Sequence, residues 1–374
     1  MPDDKAPQRR IPYVNLVAQF EEEREELLAT VTAALARGDY VLGAAVGELE
    51  AALAAYHGTR HAVALNSGTD ALTLTMRVLG IGRGDEVITP VNSFIASTAA
   101  VVQAGARPVL VDVLPDQNID PEAAGRAITP RTRAIMPVHL GGRIADMDPI
   151  LDLARRHRLA VIEDAAQAVG SRYRGRLSGT LGDFGCFSAH PLKNLNACGD
   201  AGFVVTDRDD LIERLRLIPR HGLVDRNTVV EFGLVSRMDT LQAAILLMRL
   251  KRLDGLLERR RRNAALYRER LDPRHVFMPP CRDHEYNSFH TLVVQLDRRD
   301  ELHAHLTENG IGTAIHYPVP IHLQPAARDL GYRPGDFPVA ERQAQRILTL
   351  PIHQFLSADD IDHIAAAINA FYRQ

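Results

Sequence analysis

Lysine is scarce in this sequence: of 44 Lys and Arg residues, only Lys5, Lys193 and Lys251 are lysines. The difference is chemical, because a guanidinium keeps its proton in a protein, whereas a desolvated ammonium can lose it and present the neutral amine that a Schiff base requires. Lys5 lies in a polar N-terminal tail and Lys251 in an Arg-rich helical stretch. Lys193 lies in a polar loop with Pro191, Gly199 and Gly202, between two apolar runs that read as strands, Cys186 to Ala189 and Phe203 to Thr206. Lys193 is therefore either a reactive amine or a surface lysine that borders strands by chance.

Two other stretches could do chemistry with it. After Ala62-Val-Ala-Leu65 comes Asn66-Ser-Gly-Thr-Asp70, which opens a helix. Gly68, the Thr69 hydroxyl and the free amides there make an anion site, unless Ser67 or Thr69 merely caps the helix. After Leu159-Ala-Val-Ile comes Glu163-Asp164-Ala-Ala-Gln167. A carboxylate at a buried strand end needs a cation or hydrogen-bond donors, so Asp164 either awaits a charged ligand or is satisfied by loop amides. The lysine loop adds Ser188 and His190. A phosphate at Thr69 and Ser188, an aromatic nitrogen cation at Asp164 and a carbonyl at Lys193 together describe one cofactor, pyridoxal 5'-phosphate. A carboxylate at the ring nitrogen keeps that nitrogen protonated and able to accept electrons, and the lysine amine both anchors the aldehyde and moves protons.

Only the fold can bring these distant positions together. Candidate strands are Ala62 to Leu65, Glu86 to Thr89, Pro108 to Val113, Ala134 to Val138, Leu159 to Glu163, Cys186 to Ala189 and Phe203 to Thr206. Helical spacing at Thr69 to Leu79, Phe94 to Ala104 and Met147 to Arg158 alternates with the earlier ones. This predicts an α/β fold with a mostly parallel central sheet covered by helices, and a ligand beyond the carboxyl ends of its strands. Amphipathic helices precede it, with Phe20, Leu27, Val31, Ala34 and Leu35 on one face, then Val46, Leu49, Leu53 and Tyr56 on another. Asp239 to about Leu271 reads as a long helix or a pair, and Arg259 to Arg262 within it as a solvated helix face. Strands at Leu292 to Leu296 and Ile311 to His316, a helix over Glu301 to Asn309 and a final helix opening at Ser357 predict a smaller C-terminal α+β domain. The expected division is a large domain over residues 1–250, N-terminal helices included, and a small one over 251–374.

Bulk properties narrow the function classes. A formal charge of −3 gives no footprint for nucleic acid, and no apolar run reaches the length of a membrane span. Three cysteines, Cys186, Cys198 and Cys281, form no C-x-x-C pair, and no apolar segment follows the N-terminal basic residues. A cytoplasmic protein without a structural metal site is expected.

Several of these stretches fall into a known pattern. Asn66-Ser-Gly-Thr-Asp-Ala-Leu72, Gly84-Asp-Glu-Val-Ile-Thr-Pro90, Pro137-Val-His-Leu-Gly141, Ile162-Glu-Asp-Ala-Ala-Gln167, Phe187-Ser-Ala-His-Pro-Leu-Lys-Asn194, Gly199-Asp-Ala-Gly202 and His316-Tyr-Pro318 span almost the whole chain. In these it resembles the DegT/DnrJ/EryC1/StrS family of sugar aminotransferases, fold type I enzymes that use pyridoxal phosphate. The resemblance implies that Lys193 bonds covalently to the cofactor, Asp164 binds the pyridine nitrogen and Gln167 lies near the phenolic oxygen. It puts Gly68, Thr69 and Ser188 on the phosphate, Asp70 beside the cofactor, and Phe94 stacked on the ring, where a core helix residue is the other reading. His190, Arg237, His316 and Tyr317 would border the substrate, with core packing the alternative for Tyr317. It also implies a homodimer with shared active sites.

Two positions depart from the pattern. Val235 stands where the family usually has an asparagine that reaches the phosphate from the neighbouring subunit, so weaker cofactor retention is expected. Ala189 replaces a common aromatic. The expected reaction moves an amino group from an amino acid, glutamate foremost, to a keto-sugar, nucleotide-linked before a free keto-sugar or keto-cyclitol. A related sugar dehydratase would carry histidine in place of Lys193, and a non-catalytic regulatory homologue would not need Asp164, Gln167, Ser188 and Lys193 together.

Overall fold

The computed structural model describes residues 9–373. Two helices lead in, α1 (Leu16–Arg37) and α2 (Ala44–His57). The chain breaks between them because Gly38 takes the left-handed conformation (φ 73°) that closes α1. There follow β1 (His61–Leu65), α3 (Gly68–Val78), β2 (Glu86–Pro90), α4 (Ile95–Gln103), β3 (Arg107–Val111), α5 (Pro121–Arg126), β4 (Thr132–Ile135), α6 (Met147–His157) and β5 (Ala160–Asp164). Two short strands, β6 (Arg172–Tyr173) and β7 (Arg176–Leu177), precede β8 (Phe184–Ser188) and β9 (Gly202–Thr206).

The large sheet has the order β1-β9-β8-β5-β4-β2-β3, and β9 alone runs against the others. Every expected strand of this region is present. Their Val, Ile and Leu residues alternate between two covered faces. Val63, Leu65, Ile162, Cys186 and Val204 pack under α3 with Ala100 and Val101 of α4. Ala62, Ala64, Phe187, Phe203 and Val205 pack under α2 and residues that follow Met238, and Val161, Ile88 and Ile135 under α6.

Past α7 (Ile212–Leu217), the stretch expected as one or two helices is two, α8 (Thr240–Leu250) and α9 (Leu253–Arg270). On α1, Leu27 packs with Ile245 and Met248 of α8, and Leu35, expected on the same face, is 48% exposed. The remainder contains β10 (Val276–Phe277), β11 (Glu285–Tyr286), β12 (Leu292–Leu296), α10 (Arg299–Glu308), α11 (Pro338–Arg346), β13 (Ile347–Leu350) and α12 (Ala358–Phe371). Ser357 and Asp360 cap α12 reciprocally. A three-stranded sheet β10-β12-β13 packs with α9, α10 and α12 around Tyr267, Val294, Leu302, Leu350 and Ile364.

Two details differ from expectation. Residues 311–316 form no strand; Ile311 bridges to Ile11 and Ala314 to Thr349 singly. The reason is crowding by the N-terminal segment, whose Ile11 carbonyl accepts from the Gly312 amide at 2.8 Å and whose Tyr13 nitrogen lies 2.7 Å from where a Gly312 Cβ would stand. The edge strand is instead β13, antiparallel to β12. Residues beyond 250 also reach back to the first 250: β11 pairs with β6 in a separate three-stranded sheet β11-β6-β7, and Phe337 and Ala340 pack on Val91, Leu110 and Val113.

Candidate active site

The carboxyl ends of β1, β5 and β8 open onto one cavity of about 420 Å³, lined by Ser67, Gly68, Thr69, Phe94, Ser97, Asp164, Gln167, Ser188, His190, Lys193, His316 and Tyr317 among others. Because β5 and β8 pair Asp164 with Cys186, the Asp164 side chain takes the face under α3 and α4. There it is 4% exposed, and its carboxylate accepts from Ser97 Oγ at 2.6 Å and from the Ala166 amide at 3.2 Å. Burial raises its pKa above the usual carboxylate range, against those two hydrogen bonds and the attraction of Lys193. The adjacent Glu163 faces the other way. It accepts from the amides of Gly179, Leu181 and Gly182 and meets the His139 ring at 2.9 Å, which fastens the end of β5.

The lysine loop is tied down around its amine. The Lys193 amide donates to the His190 carbonyl at 2.8 Å, the Ala197 amide to the Ala189 carbonyl at 2.8 Å, and Asn196 Nδ2 to the Pro191 carbonyl at 2.8 Å. Desolvation pulls the Lys193 ammonium down to about 8, opposed by Asp164, so a substantial neutral fraction exists near physiological pH. Ser188, at the end of β8, sits against the start of α3: a Cβ on Gly68 would stand 2.7 Å from the Ser188 Cβ. This close approach leaves a polar cradle of Thr69, Ser188 and the first amides of α3. Ser67 is the N-cap, accepting from the Asp70 amide at 3.1 Å.

The other expected residues divide. Phe94 precedes α4 and is 54% exposed, so it is no core helix residue; its ring lies 5.7 Å from that of Tyr317. Gln167 accepts from the Gly141 amide at 2.8 Å, and its Nε2 donates to the Tyr317 hydroxyl at 3.3 Å. His316 meets Thr349 Oγ1 at 2.9 Å, and burial lowers its pKa to about 4. Burial raises the Tyr317 phenol to about 12. Asp70 and Arg237 do not line the cavity. Sequence reasoning missed Ser97, which lay in an unremarkable helix one turn after Phe94, and Tyr13, Arg260, His290 and His353, which also line the cavity. Arg260 corrects the expected solvated face: Arg259 pairs with Glu22 at the surface, whereas Arg260 is 8% exposed. Among the described residues no group of His, Cys, Asp or Glu could hold a metal ion, and no helix is long and apolar enough to cross a membrane.

A mostly parallel sheet with this cavity at its carboxyl edge and a smaller α+β unit beside it is the fold type I architecture of pyridoxal-phosphate-dependent transferases. More narrowly, residues 21–369 match the DegT/DnrJ/EryC1/StrS aminotransferase family, and the chain belongs to that family. It is an aminotransferase by that membership. It is 45% identical over 345 residues to the dTDP-3-amino-3,4,6-trideoxy-alpha-D-glucose transaminase of Streptomyces venezuelae, covering 92% of this chain and 91% of the relative. It is 40% identical to a protein of Geobacillus stearothermophilus named pleiotropic regulatory protein, covering 97% and 99%. Among solved structures, DesV of S. venezuelae in complex with a ketimine intermediate superposes with a TM-score of 0.95 at 43% identity, over 98% of this chain and 99% of that one. The PLP form of Spr1654 from Streptococcus pneumoniae superposes with a TM-score of 0.89 at 28% identity, over 93% and 96%.

Proposed function

We propose that this protein takes an amino group from an amino acid, glutamate foremost, and delivers it to a ketone on a nucleotide-linked sugar, using pyridoxal 5'-phosphate. The observation that carries the reading is the pairing of a desolvated lysine amine with a buried carboxylate in one cavity, beside the N-terminus of a helix. The residues suit the cofactor. Asp164 is a buried carboxylate lacking a full counter-charge, which a pyridinium would supply; the cradle of Gly68, Thr69 and Ser188 suits a phosphate. Phe94 would cover the ring, and Gln167 would lie at its edge with Tyr317.

Pyridoxal phosphate supplies the electron sink that lets a proton leave the carbon bearing nitrogen. The chain's residues do the remainder. Asp164, held by Ser97, keeps the ring nitrogen cationic. Lys193 accepts a proton at Nζ and returns it at a neighbouring position, for which an amine that titrates near neutrality is suited. His316 and His353, both lowered to about 4 by burial, stay uncharged and shape the substrate side.

The nucleotide-sugar acceptor rests on the named activity of the S. venezuelae relative. Purified protein loaded with pyridoxal phosphate and then given glutamate should change its visible spectrum from the aldehyde form to the amine form. The amine form should then discharge onto a keto-sugar, screened from dTDP- and UDP-linked ketones through free keto-sugars to keto-cyclitols. A Lys193→Ala protein that still aminates an acceptor with turnover would sink the assignment, and a spectrum indifferent to every amino acid would favour a regulatory role.

A further inference from the structure

Three arginines are among the buried residues, and two of them have carboxylates: Arg143 pairs with Glu285 and Arg299 with Asp300. Arg260 has none among the described residues. It projects from α9 into the cavity that contains Lys193, where Nη1 donates to the carbonyls of Phe289 at 3.1 Å and His290 at 3.2 Å. Its Nε is buried without a partner, and its Nη2 makes no hydrogen bond to a described residue. The Nε–Nη2 edge is the fork that takes a carboxylate in two parallel hydrogen bonds. An unpaired guanidinium out of water is costly, and the titratable groups that interact with this one, Tyr13, His290 and His353, offer it no anion. Burial brings Arg260 down to about 10, which leaves it cationic at neutral pH.

We propose that Arg260 binds a carboxylate of the amino-acid donor, holding it on the α9 side of the cavity while the amino group faces Lys193. This rests on the transaminase reading above. A diphosphate is the competing anion. Gly68, Thr69 and Ser188 already offer this cavity a phosphate site, which leaves Arg260 for a second anion; since an arginine fork also takes phosphate, a pyrophosphate titration separates the two.

The test uses cofactor-loaded enzyme and the unreactive dicarboxylate glutarate, titrated calorimetrically into wild type, Arg260→Lys and Arg260→Gln. Lysine keeps the charge but not the fork, so R260K carries the test if R260Q does not fold. Glutarate affinity should fall at least tenfold in R260K and further in R260Q. The KM for glutamate in R260K should rise at least tenfold with kcat within threefold, and the cofactor spectrum should be unchanged. Glutarate affinity within twofold of wild type would overturn the proposal. So would an equal loss of pyrophosphate binding, which would mark a general anion site, or a fall in kcat without a rise in KM, which would mark a packing role through Phe289 and His290. Arg260-dependent glutarate binding in an enzyme that no amino acid converts would overturn the transaminase reading and leave the carboxylate site standing.

Discussion

Asp164 and Lys193 are perturbed by the same cause in opposite senses. Burial penalises the charged form of each, raising the carboxyl and lowering the ammonium, and their mutual attraction only partly offsets it. Ser97 is therefore a positioning residue: its 2.6 Å hydrogen bond is the chief local support for an ionised Asp164. A hydrogen bond to a charged group is worth about 1.5–3 kcal/mol. Ser97→Ala should thus weaken cofactor binding and lower kcat/KM by about tenfold to a hundredfold, with the acid limb of the pH profile moved upward; values within twofold of wild type would mean that the Ala166 amide suffices. Lys193 gives a second prediction. An amine lowered to about 8 is protonated below that pH and neutral above it. The initial rate at which cofactor-free enzyme captures pyridoxal phosphate should accordingly rise about tenfold per pH unit below 8 and level off above it. Stopped-flow absorbance reads this directly, and a flat profile from pH 6 to 9 would show the amine to be already neutral.

At the scale of elements, the site depends on how closely α3 meets β8. No side chain fits at Gly68, because a Cβ there would press on Ser188. Gly68→Ala should push the start of the helix off the strand end and open the phosphate cradle. We expect cofactor affinity at least tenfold weaker in absorbance titration while circular dichroism stays native; unchanged affinity would show that the cradle tolerates the shift. The strands flanking this contact were legible in the sequence because each is a short apolar run buried on both faces, and the chemistry at their ends because lysine is so rare in this chain. The edge strand Ile347–Leu350 was not, since four residues directly after a helix have no period of their own. Ile311 to His316 was misread because its apolar pattern does not show that the N-terminal segment crosses it at Gly312. Arg260 was hidden in a run of four arginines, where only the packing of α9 decides which one turns inward. Asp70 and Arg237 were expected from motifs, and the motif does not state where a side chain points.

At the scale of the whole molecule, one surface is unlike the others. Between residues 224 and 235, Val224, Val229, Val230, Phe232 and Val235 are all more than half exposed, Phe232 at 92%. The segment is nonetheless held in place. Glu231 accepts from both Arg214 and Arg77, and the Val230 amide donates to the Gly222 carbonyl at 3.0 Å. A fixed apolar ridge of this kind suits an interface, and the family resemblance implies a homodimer in which this region approaches the neighbour's phosphate. Val235 does not line the cavity of its own subunit, as that arrangement requires. In such a homodimer Phe232→Asp should weaken association by about 2 kcal/mol or more, roughly 30-fold, and activity should fall in step with the dimer fraction in sedimentation across a dilution series; a wild-type protein that sediments as a monomer while active would refute it. Val235→Asn should restore a donor and tighten cofactor binding by about 0.5–1.5 kcal/mol, a factor of roughly 2 to 12. The decisive combination is both substitutions together. If the asparagine acts across the interface, its gain disappears in the Phe232→Asp background at dilutions where the protein is monomeric; a gain that survives there would place residue 235 on its own subunit's cofactor and refute the shared site.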